Sequence, residues 1–205
     1  MDTYNNRALH LNYNIICELV EYGSNILDLG CGDGTLLKML HDKKHTFGRG
    51  IEINQEKVIK AINNGLSVIQ GNIDEGLDDF IGQNIDYVIL NQTLQSVYKP
   101  DFVIEEMLRT GKKVIVSFPN FAYWKIRLYL LFKGKMPKSE RLPFEWYNTP
   151  NIHLLTVKDF YDFCEERNIN ILNTILVRRG IPLKSKFKKN FADIFAEEVI
   201  FIISK

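Results

Sequence analysis

The chain has 205 residues, with 26 Lys and Arg against 25 Asp and Glu for a formal net charge of +1, 45% apolar and 25% charged residues. A chain of this size buries a self-sufficient core as a single domain spanning 1–205, and its balanced composition describes an ordinary globular protein rather than a disordered chain or a polycation that coats nucleic acid. Cys17, Cys31 and Cys164 are odd in number and contain no C-x-x-C pair, so they suggest neither a disulfide framework nor a zinc knuckle.

In chain order, the first residues, MDTYNNRALHLNYNII, include Asp2 and Arg7 and no continuous apolar run, so no secretory signal is expected. From residue 25 to about 120, short apolar or β-branched runs alternate with helix-period segments. The spacing predicts strands at 25–29 (NILDL), 46–51, 67–70, 85–91 (IDYVILN) and 113–118. Helical patterns lie between them, carried by Leu36, Leu37, Met39 and Leu40, then Val58, Ile59 and Ile62, then Phe102, Val103, Met107 and Leu108 after Pro100. Strand and helix in repetition predict an α/β fold, a doubly wound, mostly parallel sheet with helices on both faces.

Residues 119–153 are aromatic, punctuated by proline and read as irregular. A long irregular segment in a compact domain is usually functional or disordered, and this one, too aromatic to stay solvated, is expected to form a cap or insertion over the carboxyl ends of the strands. FAYWKIRLYLLF (121–132) is broken by Lys125 and Arg127 and too short to span a bilayer, so a cytoplasmic chain without membrane contact is expected. TVKDFYDFCEERN (156–168) reads as a helix with Thr156 as N-cap. Strands near 170–178 and 197–203 close the chain.

The chemistry concentrates in NILDLGCGDGT (25–35). In an open parallel sheet, ligands sit beyond the carboxyl ends of the strands, and glycines after the first strand let the backbone approach a ligand that a Cβ would block. The dinucleotide pattern G-x-G-x-x-G requires glycine at position 35, where Thr35 stands. Gly30, Gly32 and Gly34 instead follow Asp28. A pyrophosphate has no use for that acid, whereas a cofactor carrying a cationic amino-acid moiety does. Glu52, ending the second strand, is placed to accept from two ribose hydroxyls, a role common to NAD and S-adenosylmethionine sites. Taken together these features favour S-adenosylmethionine over NAD.

ILDLGCGDG resembles motif I of class I methyltransferases. The further segments VIQGNIDEGL, VILNQTLQSV, EEMLRTGKKVIVSFPNFAYWKIR and GKMPKSERLPFEWYNTPNIHLLTVKDF are similar to the MetW family of bacterial methionine-biosynthesis proteins, from about residue 15 to residue 178. Asn72 stands where that family often has Asp. The resemblance implies a class I, Rossmann-like methyltransferase fold with a seven-stranded sheet and S-adenosylmethionine or S-adenosylhomocysteine as cofactor. It also implies a link to the homoserine O-acyltransferase step of methionine synthesis. By matched position, Asp28, Gly30, Gly32 and Gly34 shape the methionine end of the cofactor and Glu52, followed by Ile53, the ribose. Asn72 and Ile73 flank the adenine, and Asn91 with Gln92 lines the pocket floor. The alternative is a methyltransferase of a small-molecule acceptor, served by the same cofactor site.

Methyl transfer from a sulfonium needs chiefly in-line proximity and requires a base only when the nucleophile carries a proton. The fourth strand ends in NQTL rather than the Asn/Asp-Pro-Pro-Tyr of enzymes that methylate amino groups of nucleic acids and proteins, which argues against a base-methylating enzyme, and with no recognisable RNA-binding module or separate basic domain no nucleic-acid partner is expected. Tyr147 and His153, in the cap, are the candidate acid, base or hydrogen-bonding groups. Their alternative role is loop bracing. His41 and His45 have i, i+4 spacing without a third ligand, so no metal is expected. Cys31 has no identifiable base and reads as a small filler. Two basic stretches, 125–141 and 178–189, are either solvated loops or one electropositive rim.

Overall fold

A computed structural model describes residues 12–139, 142–183 and 194–205. A helix covers residues 12–19 (α1). There follow β1 (Asn25–Leu29), α2 (Thr35–Lys44), β2 (Phe47–Glu52), α3 (Gln55–Asn63), β3 (Ser67–Gln70), β4 (Ile85–Asn91), α4 (Pro100–Thr110) and β5 (Gly111–Pro119). The rest of the chain gives α5 (Trp124–Lys133), α6 (Val157–Glu166), β6 (Asn170–Arg178), β7 (Ile181–Pro182) and β8 (Glu198–Ser204). The strands form one sheet in the order β3-β2-β1-β4-β5-β8-β6-β7. The first five are parallel to their neighbours, and β8 runs antiparallel between β5 and β6. The seven expected strands are all present, and the two-residue β7 adds an edge hairpin to β6.

Strand side chains alternate faces, and here both faces are covered. Leu27, Leu29, Val88, Leu90, Val114, Val116, Phe118, Val199 and Phe201 pack into one core, with Met107 of α4 and Phe160 of α6. Ile26, Ile89, Ile115, Ile200 and Ile202 pack into the other, with Ile16 of α1 and Leu37 and Leu40 of α2. Burial on both faces explains why the strands read as continuous apolar runs rather than alternating ones. Each fully buried Leu, Ile or Val contributes about 1.5–3 kcal/mol relative to exposure.

Local signals set the helix starts. Asn54 caps α3 by accepting from Lys57 N–H, Pro100 occupies the first turn of α4, and Thr156 with Asp159 forms a capping box on α6. In α3 Val58 and Ala61 face the core, whereas Ile59 and Ile62 are exposed.

Residues 119–153 depart from the irregular reading. They contain the ten-residue helix α5, of which only Ile126 is buried. Its apolar side chains surround the axis instead of forming one stripe, so no helical period stood out. The expectation that the aromatic side chains of this segment are all covered is corrected as well: Phe118 and Tyr123 are buried, while Phe144, Trp146 and Tyr147 are exposed. No helix among the described residues is long and apolar enough to cross a membrane.

Candidate functional site

The chain adds β2 and β3 to one side of β1, then β4 and β5 to the other, so the strand order reverses between β1 and β4. Beyond the carboxyl ends of those two strands lies the crevice in which such sheets bind ligands. Gly30, Gly32 and Gly34 make the turn out of β1 with φ of 68°, 61° and 78°, the left-handed region that favours glycine. Two of them are packed tightly: a Cβ on Gly30 would stand 2.8 Å from Thr93 Oγ1, and one on Gly34 2.2 Å from Leu66 Cδ1. A Cβ on Gly32 would meet no heavy atom within 4 Å. The turn is therefore braced at both ends and open in the middle.

Two buried acids stand beside that opening. Glu52, at the end of β2, accepts from Gly32 N–H through Oε2 and from Asn54 N–H through Oε1, both at 2.9 Å. Gly30 and Cys31 N–H donate to Ile51 C=O at 2.8 and 3.1 Å, tying the turn to the same strand end. Asp28 is 2% exposed, and its carboxyl is pushed up to about 8, first by burial and then by the Glu52 charge. Cys31 fills the space a Cβ on Gly50 would take. Burial, then the charges of Asp28 and Glu52, push its thiol above the ordinary range, which agrees with its reading as a small filler.

The other expected residues sit around this centre. Ile53 is 65% exposed directly after Glu52. Asn72 accepts from Asp74 N–H at 3.1 Å and so caps the 3₁₀ turn Ile73–Glu75, while Ile73 itself packs into the core. Asn91 Oδ1 accepts from Ser117 Oγ at 2.5 Å. Gln92 has φ 55°, a conformation few non-glycine residues adopt, and its amide nitrogen donates to Glu198 Oε1 at 2.5 Å. Its carbonyl accepts from Gln95 Nε2 at 2.7 Å, and Gln95 C=O in turn accepts from the N–H groups of Ile152 and His153 at 2.9 and 3.0 Å.

Of the two cap candidates, His153 is thus brought by its backbone to the end of β4, with Nε2 buried and without a hydrogen bond. Tyr147 is 69% exposed. His41 and His45 are exposed at the end of α2, and His41 Nδ1 lies 3.1 Å from Thr46 C=O. Among the described residues no group of three metal-ligating side chains occurs.

Sequence reasoning missed two groups. Tyr13, on α1, packs against the core cluster that holds Cys31 of the glycine turn, and its hydroxyl is pushed up to about 12 by burial and then by the charges of Asp28 and Asp33. It stands in no motif. Gln92, just past β4, donates both to Ser117 of β5 and to Glu198 of β8, joining three strands over sequence separations of up to 106 residues, which no local spacing reveals. The two basic stretches partly meet: Lys125, Lys138 and Arg179 line a cavity of about 370 Å³ with Tyr123, Tyr129 and Glu197. Arg141, Lys184, Lys186, Lys188 and Lys189 lie outside the described residues. A separate groove of about 660 Å³ runs along the amino ends of the strands, past Asn25, Phe47, Ser67 and Ile85, at the opposite edge from the glycine turn.

Comparison with known proteins points the same way. The family profile of methionine biosynthesis protein MetW matches residues 10–203. The bifunctional methionine biosynthesis protein MetXA/MetW of Rhodopirellula baltica is 38% identical over 173 residues, covering 80% of this chain and 28% of that protein. The chain therefore spans little more than a quarter of that relative's length. Among solved structures, an S-adenosylmethionine-dependent methyltransferase of Thermotoga maritima, possibly acting on histamine, aligns with TM-score 0.66 at 15% identity over 97% of this chain and 91% of the other. Magnesium protoporphyrin IX methyltransferase of Synechocystis PCC 6803 with bound S-adenosylhomocysteine aligns with TM-score 0.65 at 14% identity over 97% and 84%. At identities this low, these likenesses show a shared fold alone.

Proposed function

The chain belongs to the methionine biosynthesis protein MetW family, and from that premise we propose that it binds S-adenosylmethionine or S-adenosylhomocysteine at the glycine turn and acts with or on a homoserine O-acyltransferase. The carrying observation is the pairing of an open glycine with two buried acids, Gly32 with Glu52 and Asp28. Such a site suits a ligand with a cationic amino-acid end and a diol. Glu52 keeps acceptor capacity on each oxygen beyond the N–H it already holds, which a ribose 2′,3′-diol would use. Asp28, buried beside it, would hold the cationic end, with Asn72 and the backbone of Ile73 beside the adenine and Asn91 below. When bound, the cofactor supplies an electrophilic methyl group. This chain's residues would orient it and keep water away.

The acyltransferase reading is supported by the Rhodopirellula baltica relative, whose name joins MetXA and MetW in one bifunctional protein. The left-handed backbone of Gln92 and its part-buried contact with Glu198, just past the end of β4, favour a second reading, methyl transfer to a small acceptor. Titration calorimetry with S-adenosylmethionine, S-adenosylhomocysteine and NADH tests the cofactor. Binding of the first two and not of NADH is expected, and NADH binding alone would overturn the assignment. Methyl transfer at ordinary enzymatic rates by the isolated protein, with no complex at micromolar acyltransferase, would replace the first reading with the second.

A further inference from the structure

Residues 128–154 carry ten of the twenty-one large apolar side chains that are exposed among the described residues. Single exposed apolar side chains are ordinary, but a concentration on this scale marks an interaction surface. Leu131 and Phe132 are 74% and 75% exposed near the end of α5, and Trp146 is 73% exposed beside Phe144 and Tyr147. α5 adjoins the segment that leads into Phe144, Trp146 and Tyr147, because its Ile126 and Tyr129 line one cavity with Pro137 and Leu142.

This face is held in shape. Ser139 and Leu142 exchange backbone hydrogen bonds at 3.0 and 3.2 Å, Lys138 pairs with Glu145 at 2.5 Å, and Glu145 N–H donates to Asn148 Oδ1 at 3.0 Å. The Trp146 and Tyr147 rings meet edge to face at 5.6 Å. Rigid aromatic side chains with few torsions to freeze are what interface centres use. Around them stand the exposed Lys125, Lys133, Lys135 and Lys138, of which only Lys138 has an ion-pair partner among the described residues.

We propose that the face formed by α5 and residues 142–147 docks the homoserine O-acyltransferase, through a patch on that enzyme that is apolar at its centre and acidic at its border. The lysine border selects an acidic counterpart by charge complementarity. The occupant follows from the Rhodopirellula baltica relative, in which one polypeptide holds the two named parts at high effective concentration. Where the two are separate chains, surface contact alone must hold them together. The inference rests on the acyltransferase reading and adds the surface that serves it. Trp124 is not part of this face, since its indole nitrogen is buried.

The test is sedimentation of the purified protein with the purified acyltransferase of the same organism at micromolar concentration. A complex is expected, weakened at least tenfold by Phe132→Ser and by Trp146→Ser. The double charge reversal Lys133→Glu with Lys135→Glu should weaken it too, while Ile59→Ser, an exposed apolar site on α3, leaves it intact. Each variant should keep its thermal unfolding midpoint, because the side chains are exposed. A complex that forms but ignores all three face variants overturns the face and leaves the partner standing. No complex with the unaltered protein overturns both. Self-association, or binding to phosphatidylserine vesicles, that is lost in the same variants without any acyltransferase complex assigns the face to another occupant and overturns the proposal.

Discussion

Glu52 Oε2 accepts the N–H of Gly32, twenty residues earlier in the chain, at 2.9 Å. The acid that ends β2 is therefore a strut of the glycine turn as well as the proposed ribose acceptor. Removing it should weaken both. Glu52→Ala is expected to cost about 1.5–3 kcal/mol in S-adenosylmethionine affinity, the usual worth of hydrogen bonds to a charged group. Glu52→Gln keeps one acceptor oxygen and should fall between the two. Calorimetry on both variants checks this, and an affinity undiminished in Glu52→Ala would remove Glu52 from the site.

The three glycines of the turn should separate by what surrounds each. Gly34→Ala drives a Cβ to 2.2 Å from Leu66 Cδ1 and Gly30→Ala to 2.8 Å from Thr93 Oγ1, so both should destabilise the fold. Gly32→Ala meets no atom and carries only the left-handed backbone penalty, about 1–2 kcal/mol. It should fold, yet its methyl stands where the proposed cofactor approaches. Chemical denaturation alongside calorimetry distinguishes the two effects. Tight cofactor binding by Gly32→Ala would place the ligand elsewhere.

Much of this arrangement was legible in the sequence, for identifiable reasons. β1, β3, β4 and β6 have the expected bounds because each is an apolar or β-branched run closed by Gly, Asn or another turn former. The glycine turn and Glu52 were legible because strand-end acids and glycine spacing are local signals. α5 was not, since its apolar residues encircle the axis. The contact of Gln92 with Glu198 and the approach of Tyr13 to Asp28 arise only when distant segments meet. Asn72 was placed correctly after β3, but its side chain is occupied in capping the next turn.

The proposed cap is tied to the candidate site through Gln95 C=O, which accepts from the N–H groups of Ile152 and His153. Gln95 is itself fixed to Gln92 C=O at the end of β4. Ordering the crevice with a cofactor should therefore slow hydrogen exchange at Ile152 and His153. Trp146 and Tyr147, on the exposed turn, should change little. Mass-spectrometric exchange with and without S-adenosylhomocysteine measures both, and equal rates at 152 and 153 in the two states would uncouple the cap from the site.

Asp28 is expected to make stability and cofactor binding depend on pH. Its carboxyl is pushed up to about 8 in the folded protein by burial and by Glu52, against about 3.9 in an unfolded chain. The folded state therefore holds the proton more tightly than the unfolded one. The resulting stabilisation is fully present below pH 4 and is lost as the pH rises towards 8, where a buried carboxylate must ionise. Its upper bound is roughly 6 kcal/mol, from four units at about 1.4 kcal/mol each. Asp28→Asn removes the ionisation, so it should be more stable than the parent at pH 9 by at least about 1 kcal/mol, with the advantage vanishing towards pH 4. A cationic ligand beside Asp28 favours the ionised form and must expel the proton. Affinity of the parent protein for S-adenosylmethionine should therefore rise from pH 5 to 7, with proton release visible in buffers of different ionisation enthalpy. Asp28→Asn should bind more weakly and lose that proton release. Identical pH profiles in parent and variant would show that the cation of the ligand does not reach Asp28.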